Sequence, residues 1–307
     1  MNKMYQEIDE ITQAGKDFLE NSPTYELPLN VPYLGMGSSY FAPLSFKYMG
    51  ISIYPEMASE YFNYLSNGVK LSNAVILSQS GKSSEALWCT SLCEKYLAIT
   101  NNLSGTLATS NNVAEVVDLL AGDEQYSSSK TYTNTLLALF KGFKFNTTNA
   151  FGLLISNIKK YETVGQKLAE EVYYLITTKK IHGIYIIGNG PNIGTALQAA
   201  LIMSESTKLC FNGMSMAQYD HGPKETASDS IVIQIVSKGK SYTRSQNLTA
   251  TLTKAGASVF VVEEPEADEN FSILHNIVPF SYMAYYLAEK LNIKDTFLVG
   301  GKVTEVI

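Results

Sequence analysis

The stretch with the clearest chemical character is Val75-Ile76-Leu77-Ser78-Gln79-Ser80-Gly81-Lys82-Ser83-Ser84-Glu85-Ala86-Leu87. Its first three residues read as the end of a buried strand. Hydroxyls, an amide and a glycine follow at once, and helical spacing resumes near Ser84. A helix that begins there exposes its first backbone N–H groups, which have no partner within the helix. Those donors, the positive end of the helix dipole and the short hydroxyls together suit an anion, and a phosphate fits well. The plainer reading is that Ser78 and Ser80 only cap the helix, because small residues are common in strand-to-helix turns. This peptide alone leaves both open.

The elements that must position this loop alternate strand, turn and helix. Met4, Ile8, Ile11, Ala14 and Phe18 have helical spacing and predict an amphipathic helix over residues 3–20. Tyr33-Leu34 runs as a strand into Gly35-Met36-Gly37-Ser38-Ser39, and a helix from Phe41 to Met49 follows. A strand is expected over Ile51–Pro55, a short helix over Ser59–Leu65, a helix over Ser84–Lys95 and a strand over Leu97–Thr100. Val113–Leu120 fits strand or loop. After an apolar helix around Thr135–Phe140, Asn146-Thr147-Thr148-Asn149 breaks the pattern. A long helix over Lys160–Thr177 then leads into a second copy. Gly183–Gly190 matches the Tyr33 strand and its glycine turn, Ile231–Val236 the Val75 strand, and Val259–Val262 the Leu97 strand. The fold class expected is α/β, with two tandem doubly wound parallel-sheet domains, residues 1–148 and 149–307. The second copy of the hydroxyl loop, Ser237-Lys238-Gly239, has lost the Ser-x-Ser-Gly arrangement.

Composition narrows the function classes. Of the 307 residues 45% are apolar and 17% charged, which describes a globular chain. A net charge of −6 argues against nucleic acid or an anionic membrane as partner. An anionic substrate must then be held by local donors. Cys89, Cys93 and Cys210 make an odd number without zinc-ligand spacing, and are expected to be buried thiols in a reducing compartment. No apolar run reaches membrane-spanning length, and the first ten residues lack a secretory core, so a cytoplasmic location is expected. Both Gly35-Met36-Gly37-Ser38-Ser39-Tyr40 and Gly188-Asn189-Gly190-Pro191-Asn192-Ile193 lack the third glycine of a dinucleotide-binding turn, so no cofactor is expected.

Taken in order, these segments resemble the double sugar isomerase (SIS) family, and within it the isomerase half of the glutamine–fructose-6-phosphate amidotransferases. The resemblance rests on Gly-x-Gly-Ser-Ser at 35–39, Ser-Gln-Ser-Gly-x-Ser at 78–83 and the opening Met4-Tyr5-Gln6-Glu7-Ile8. It also rests on Ser127-Ser128-Ser129-Lys130-Thr131-Tyr132-Thr133, on Ser204-Glu205 followed by Asp220-His221-Gly222-Pro223, and on Gly301-Lys302-Val303-Thr304. It implies flavodoxin-like SIS domains, the first with the sugar-phosphate loop and the second with the catalytic residues and tail. A glutaminase domain is not part of these residues, which points toward stand-alone glucosamine-6-phosphate deaminases.

The resemblance implies a phosphorylated amino sugar as partner and an acid–base proton shift between adjacent sugar carbons. It places Ser38, Ser39, Ser78, Gln79, Ser80, Ser83 and Ser128 on phosphate and sugar hydroxyls. Glu205 becomes the base, with apolar walls expected to raise its pKa. His221 assists ring opening from the neighbouring subunit, implying a homodimer with shared sites, and Lys302 reaches the sugar's carbonyl end. Without the motif, a helix-terminal glutamate and a tail lysine read as solvated. Two departures stand out. Ile202 and Ser204 replace lysines of the synthases, which puts amino transfer in doubt, and Lys82 replaces an acidic residue in the loop. Lys82 fits either a phosphate contact or a solvated first turn. A fructosamine-phosphate deglycase is the neighbouring enzyme class. A non-catalytic sugar-phosphate sensor ranks last, as it has no need of Glu205, His221 and Lys302 together.

Overall fold

The computed structural model of the chain describes residues 2–304 and 306. The chain forms two compact units. The first comprises residues 9–147 and the chain from Phe297 onward; the second comprises the residues up to Ile8 and 148–296.

Both ends differ from the partition expected from the repeat. The helix expected over residues 3–20 is two helices, Asn2–Asp9 and Ile11–Asn21. The earlier one goes with the second unit, where Tyr5 packs against the rings of Tyr282 and Tyr285 and donates to Glu162 Oε1 at 2.7 Å. The C-terminal tail goes with the first unit, where Ser84 N–H donates to the Thr304 carbonyl at 3.3 Å. The break between the two units falls before Thr148, where the long helix Thr148–Thr178 starts, twelve residues ahead of its expected first turn.

The first unit carries five parallel strands: β1 (Pro32–Gly35), β2 (Tyr54–Met57), β3 (Val75–Leu77), β4 (Tyr96–Thr100) and β5 (Val113–Asp118). Their order is β2-β1-β3-β4-β5. β3 is buried at every position, as its run of Val, Ile and Leu requires of a strand covered on both faces. The helix expected over Ser84–Lys95 stops at Thr90, because Leu71 and Cys93 form an isolated bridge beyond it. Ser59–Leu65 is one α-turn, Ala58–Glu60, running into a π-turn, Tyr61–Leu65.

The second unit repeats the design with four parallel strands: β6 (Ile184–Gly188), β7 (Phe211–Ser215), β8 (Ile231–Ile235) and β9 (Ser258–Val262), ordered β7-β6-β8-β9. β7 has no hydrophobic pattern to announce it. It is an edge strand, and Gly213 within it sits against the Ala196 carbonyl, where a side chain has no room.

The strand-to-helix turns match in detail. A Cβ on Gly35 would lie 2.6 Å from the Ser39 carbonyl oxygen, and one on Gly188 would collide with the Asn192 carbonyl in the same way. The second glycine of each turn, Gly37 at φ 50° and Gly190 at φ 52°, is left-handed. Both halves therefore need Gly-x-Gly for one reason: a helix that starts immediately against its strand. Among the described residues, no helix is long and apolar enough to cross a membrane.

A buried polar cluster ties the long helix of the second unit to the segment after β9. The Glu264 side chain is fully buried and its Oε2 accepts from Lys160 Nζ at 2.8 Å, Tyr161 OH at 2.8 Å and Asn157 Nδ2 at 3.0 Å. Tyr161 OH also meets His275 Nδ1 at 2.9 Å. Burial would raise the Glu264 carboxyl, but the bonds from Lys160 and Tyr161 hold it below its ordinary value. Burial drives the fully buried His275 down to about 4, against the pull of Glu264. His275 is thus neutral in the folded chain while the unfolded chain takes up a proton near the ordinary imidazole value. Stability is intact above about pH 6.5 and falls as pH drops toward 4, by up to ~3 kcal/mol in the limit of full linkage. Urea midpoints measured between pH 7 and pH 4.5 should fall, and His275→Gln should flatten that fall.

Candidate functional site

In a sheet ordered β2-β1-β3-β4, the crossovers from β1 and β3 leave toward opposite faces, and a crevice opens between their C-terminal ends. Gly35–Ser39 leaves β1 at this edge and Ser78–Ser83 leaves β3 beside it; the two strands pair through Tyr33↔Val75 and Leu34↔Ile76. The sequence-predicted loop residues thus meet at the switch point of the first sheet.

The loop is wound tightly. Gly81 N–H donates to the Ser78 carbonyl at 3.1 Å, Lys82 N–H to Ser80 Oγ at 3.2 Å, and Ser78 Oγ to Ser83 Oγ at 3.2 Å. Gly81 is left-handed, φ 64°, and a Cβ there would stand 3.2 Å from Thr100 Oγ1. Ser78 is buried, Gln79, Ser80 and Ser83 are half-buried, and Lys82 is exposed. Ser38 and Ser39 open the helix Ser38–Tyr48, both half-buried.

Two asparagines that the sequence reading passed over hold this loop. Asn101 N–H donates to the Gln79 carbonyl at 3.0 Å, and Asn102 Nδ2 to the Ser80 carbonyl at 2.9 Å. The Asn101 side chain bonds onward, its Oδ1 accepting from Ala121 N–H at 2.9 Å and its Nδ2 donating to the Gly122 carbonyl at 2.7 Å. This brings the chain after β5, at Ala121 and Gly122, back over the same edge. Signal for these residues exists only in their place, directly after β4 on the edge where ligands bind.

Glu124 was also missed. Its carboxylate is fully buried and accepts from Ser129 N–H at 2.9 Å, Ser129 Oγ at 3.1 Å, Thr131 N–H at 3.2 Å and the Thr131 hydroxyl. Lys302 Nζ completes the set, 3.1 Å from Glu124 Oε2 and 2.6 Å from the Glu124 carbonyl. The tail lysine is therefore not solvated. Gln79, Ser80, Lys82, Asn101, Asp123 and Val303 are among the residues around a cleft of about 340 Å³ between loop and tail.

Glu205 and His221 belong to the second unit. The helix Asn192–Thr207 starts after β6 and returns to the beginning of β7, where Phe211 N–H donates to Ser204 Oγ at 3.2 Å. Glu205, half-buried, lies at that edge. His221 is exposed and follows the helix Met216–Asp220 that leaves the opposite end of β7. A five-residue strand separates the two edges by ~16 Å. Within this unit they face different ends of the sheet. His182 is exposed, its Nδ1 3.0 Å from the Ser228 carbonyl.

The corresponding crevice of the second sheet is filled by the chain itself. Asn192 Nδ2 donates to Ser272 Oγ at 2.7 Å, and Asn276 Nδ2 reaches Asn192 Oδ1 at 3.3 Å. The Glu269 carboxylate presses against Gly239, with Lys240 N–H 3.5 Å from Oε2. Of the cysteines, Cys89 and Cys93 are buried, with burial pushing their thiols up to about 12 and about 11, but Cys210 is exposed, contrary to expectation. It lies in the turn before an edge strand.

No family model matches the chain. Solved structures do. Glucosamine-6-phosphate deaminase from Thermotoga maritima superposes with a TM-score of 0.77 at 19% identity, covering 96% of both chains. The C-terminal domain of glucosamine-fructose-6-phosphate aminotransferase from Francisella tularensis gives 0.76 at 18% identity, covering 95% of this chain and 97% of that one. The fold is the flavodoxin-like fold of the sugar isomerases. Among curated relatives, the glutamine–fructose-6-phosphate aminotransferases of Thermococcus kodakarensis and Pyrococcus horikoshii are 26% and 27% identical over 83% of this chain and 48% of theirs. The chain thus spans about half the length of the curated relatives it matches.

Gly81→Ala should destabilise the first unit by about 1–2 kcal/mol, the cost of a left-handed non-glycine residue, read from urea unfolding.

Proposed function

We propose that this chain is a phosphosugar isomerase whose reaction is deamination of glucosamine 6-phosphate to fructose 6-phosphate and ammonia. The observation that carries the reading is the hydroxyl loop Ser78–Ser83, wound tightly at the switch point of a parallel sheet. The phosphate is held there by the hydroxyls of Ser78, Ser80 and Ser83 and the Gln79 side chain, with Ser38, Ser39 and Ser128 on the remaining phosphate and sugar oxygens. Lys82, exposed at the cleft, adds a cation within reach of the phosphate.

The chemistry needs a base that moves a proton between carbons 1 and 2 of the opened sugar. In this reading Glu205 takes the proton from carbon 2 and returns it to carbon 1. Water then adds to the imine left at carbon 2 and ammonia departs, leaving the ketone. His221 assists ring opening. Since Glu205 and His221 lie at opposite edges of one sheet, the reading takes His221 from a second copy of the chain, making a homodimer with shared sites. Lys302 serves the carbonyl end of the sugar. The names of the relatives with this fold support sugar-phosphate chemistry, and Ile202 in place of a synthase lysine favours deamination over amino transfer.

Purified protein given glucosamine 6-phosphate should release ammonia and fructose 6-phosphate in equal amounts; binding of fructose 6-phosphate without turnover would move the substrate to substituted fructosamine phosphates. Glu205→Gln should bind fructose 6-phosphate as before and lose turnover by ~10³ or more. Mixing Glu205→Gln with His221→Ala protein should restore part of the activity, and its absence after proven subunit exchange counts against the shared site. Because the second crevice is filled by Glu269 and its neighbours, fructose 6-phosphate should titrate to one site per chain by calorimetry.

A further inference from the structure

We infer that Glu124 is a positioning residue: its one buried carboxylate sets both the turn that carries Ser128 and the tail that carries Lys302. The inference rests on the proposed phosphosugar site and deepens it. Glu124 stands after β5, six residues before the helix Lys130–Gly142 begins, and its side chain is fully buried. A buried carboxylate is costly unless donors surround it. Here they come from two separate parts of the chain. Oε1 accepts from the backbone and hydroxyl of Ser129 and from Thr131 N–H, at 2.9–3.2 Å. This side of the carboxylate caps the start of a thirteen-residue helix, where negative charge is favoured by the helix dipole. Oε2 accepts from the Thr131 hydroxyl and from Lys302 Nζ.

Lys302 is bound twice by the same residue, through the carboxylate and through the backbone carbonyl at 2.6 Å. Two residues on, the Thr304 carbonyl accepts from Ser84 N–H, at the start of the helix that follows the phosphate loop. The tail segment between these two anchors contains Val303, which borders the cleft. The Ser84 end is two neutral hydrogen bonds between exposed and half-buried partners, the Ser84 N–H to the Thr304 carbonyl at 3.3 Å and the Val306 N–H to Ser84 Oγ at 2.9 Å. The Glu124 end is charged and shielded, the Lys302 side chain being only 18% exposed. Charge-assisted bonds of this kind hold geometry more firmly than neutral ones. Glu124 therefore fixes where the ammonium of Lys302 stands relative to the loop.

The test is hydrogen exchange across residues 297–304 in wild type, Glu124→Gln, Lys302→Met and the double variant, together with fructose 6-phosphate affinity and turnover. Glu124→Gln keeps the shape and its oxygen acceptor for the Ser129 turn but removes the charge. Protection of the tail should fall at least tenfold in either single variant, with no further loss in the double one. Fructose 6-phosphate affinity should stay within threefold while turnover drops, a split that simple unfolding does not give. Unchanged tail protection in Glu124→Gln, or losses that add in the double variant, would overturn the inference. If Glu124→Gln fails to fold, Lys302→Met decides it, since that change leaves the helix cap intact: unchanged protection sinks the inference, lost protection supports it. Exchange needs no substrate, so failure of wild type to bind fructose 6-phosphate overturns the proposed function alone.

Discussion

A helix that begins three or four residues after its strand leaves no room for a side chain at the strand's last position. That constraint is met twice, by Gly35 against the Ser39 carbonyl and by Gly188 against that of Asn192. In each case the following glycine turns left-handed to make the corner, and the helix start is brought to the edge of the sheet. The phosphate loop proposed for the site depends on that edge. The neighbouring strand, β3 in one unit and β8 in the other, delivers its own loop beside the corner. One architecture thus presents two crevices per chain.

The two crevices have gone different ways for reasons visible in their side chains. In the first, hydroxyls of Ser78, Ser80 and Ser83 belong to a loop pinned by Asn101 and Asn102, and a cleft remains beside it. In the second, Asn192, Ser272 and Asn276 satisfy one another, and Glu269 lays its carboxylate on the loop at Gly239. A site that has taken in its own anion has little reason to bind another. Function is carried by the loops grafted onto the fold, and the fold itself is indifferent to which loop binds.

Buried polar groups do much of the organising. Gln234, fully buried in the middle of β8, spends its amide on the Ser245 carbonyl and the Thr249 hydroxyl and so sets the helix Tyr242–Lys254 on the sheet. Glu264 gathers Lys160, Tyr161 and Asn157 from the long helix. Glu124 gathers a helix start and a distant tail. Each is expensive to bury alone, and each is therefore surrounded by hydrogen-bonding partners, which for the two carboxylates come from segments far apart in sequence.

Much of the α/β alternation was legible in the sequence, because a doubly covered strand must be a run of Val, Ile and Leu and a close strand-to-helix turn must be Gly-x-Gly. The hydroxyl loop was legible for the same reason: its chemistry is local, contained in Ser78–Ser83. Tertiary structure decided what depends on partners far along the chain. β7, with Asn212 and Gly213 in it, becomes a strand only because β6 lies beside it. The helix after the loop stops at Thr90 because Cys93 is drawn into a bridge with Leu71. The opening helix and the tail left the halves their positions in sequence suggested, since Tyr5 finds Glu162 and Lys302 finds Glu124, 178 residues away. No periodicity encodes such pairings. They follow from which buried charge lacks a partner once the sheets have formed.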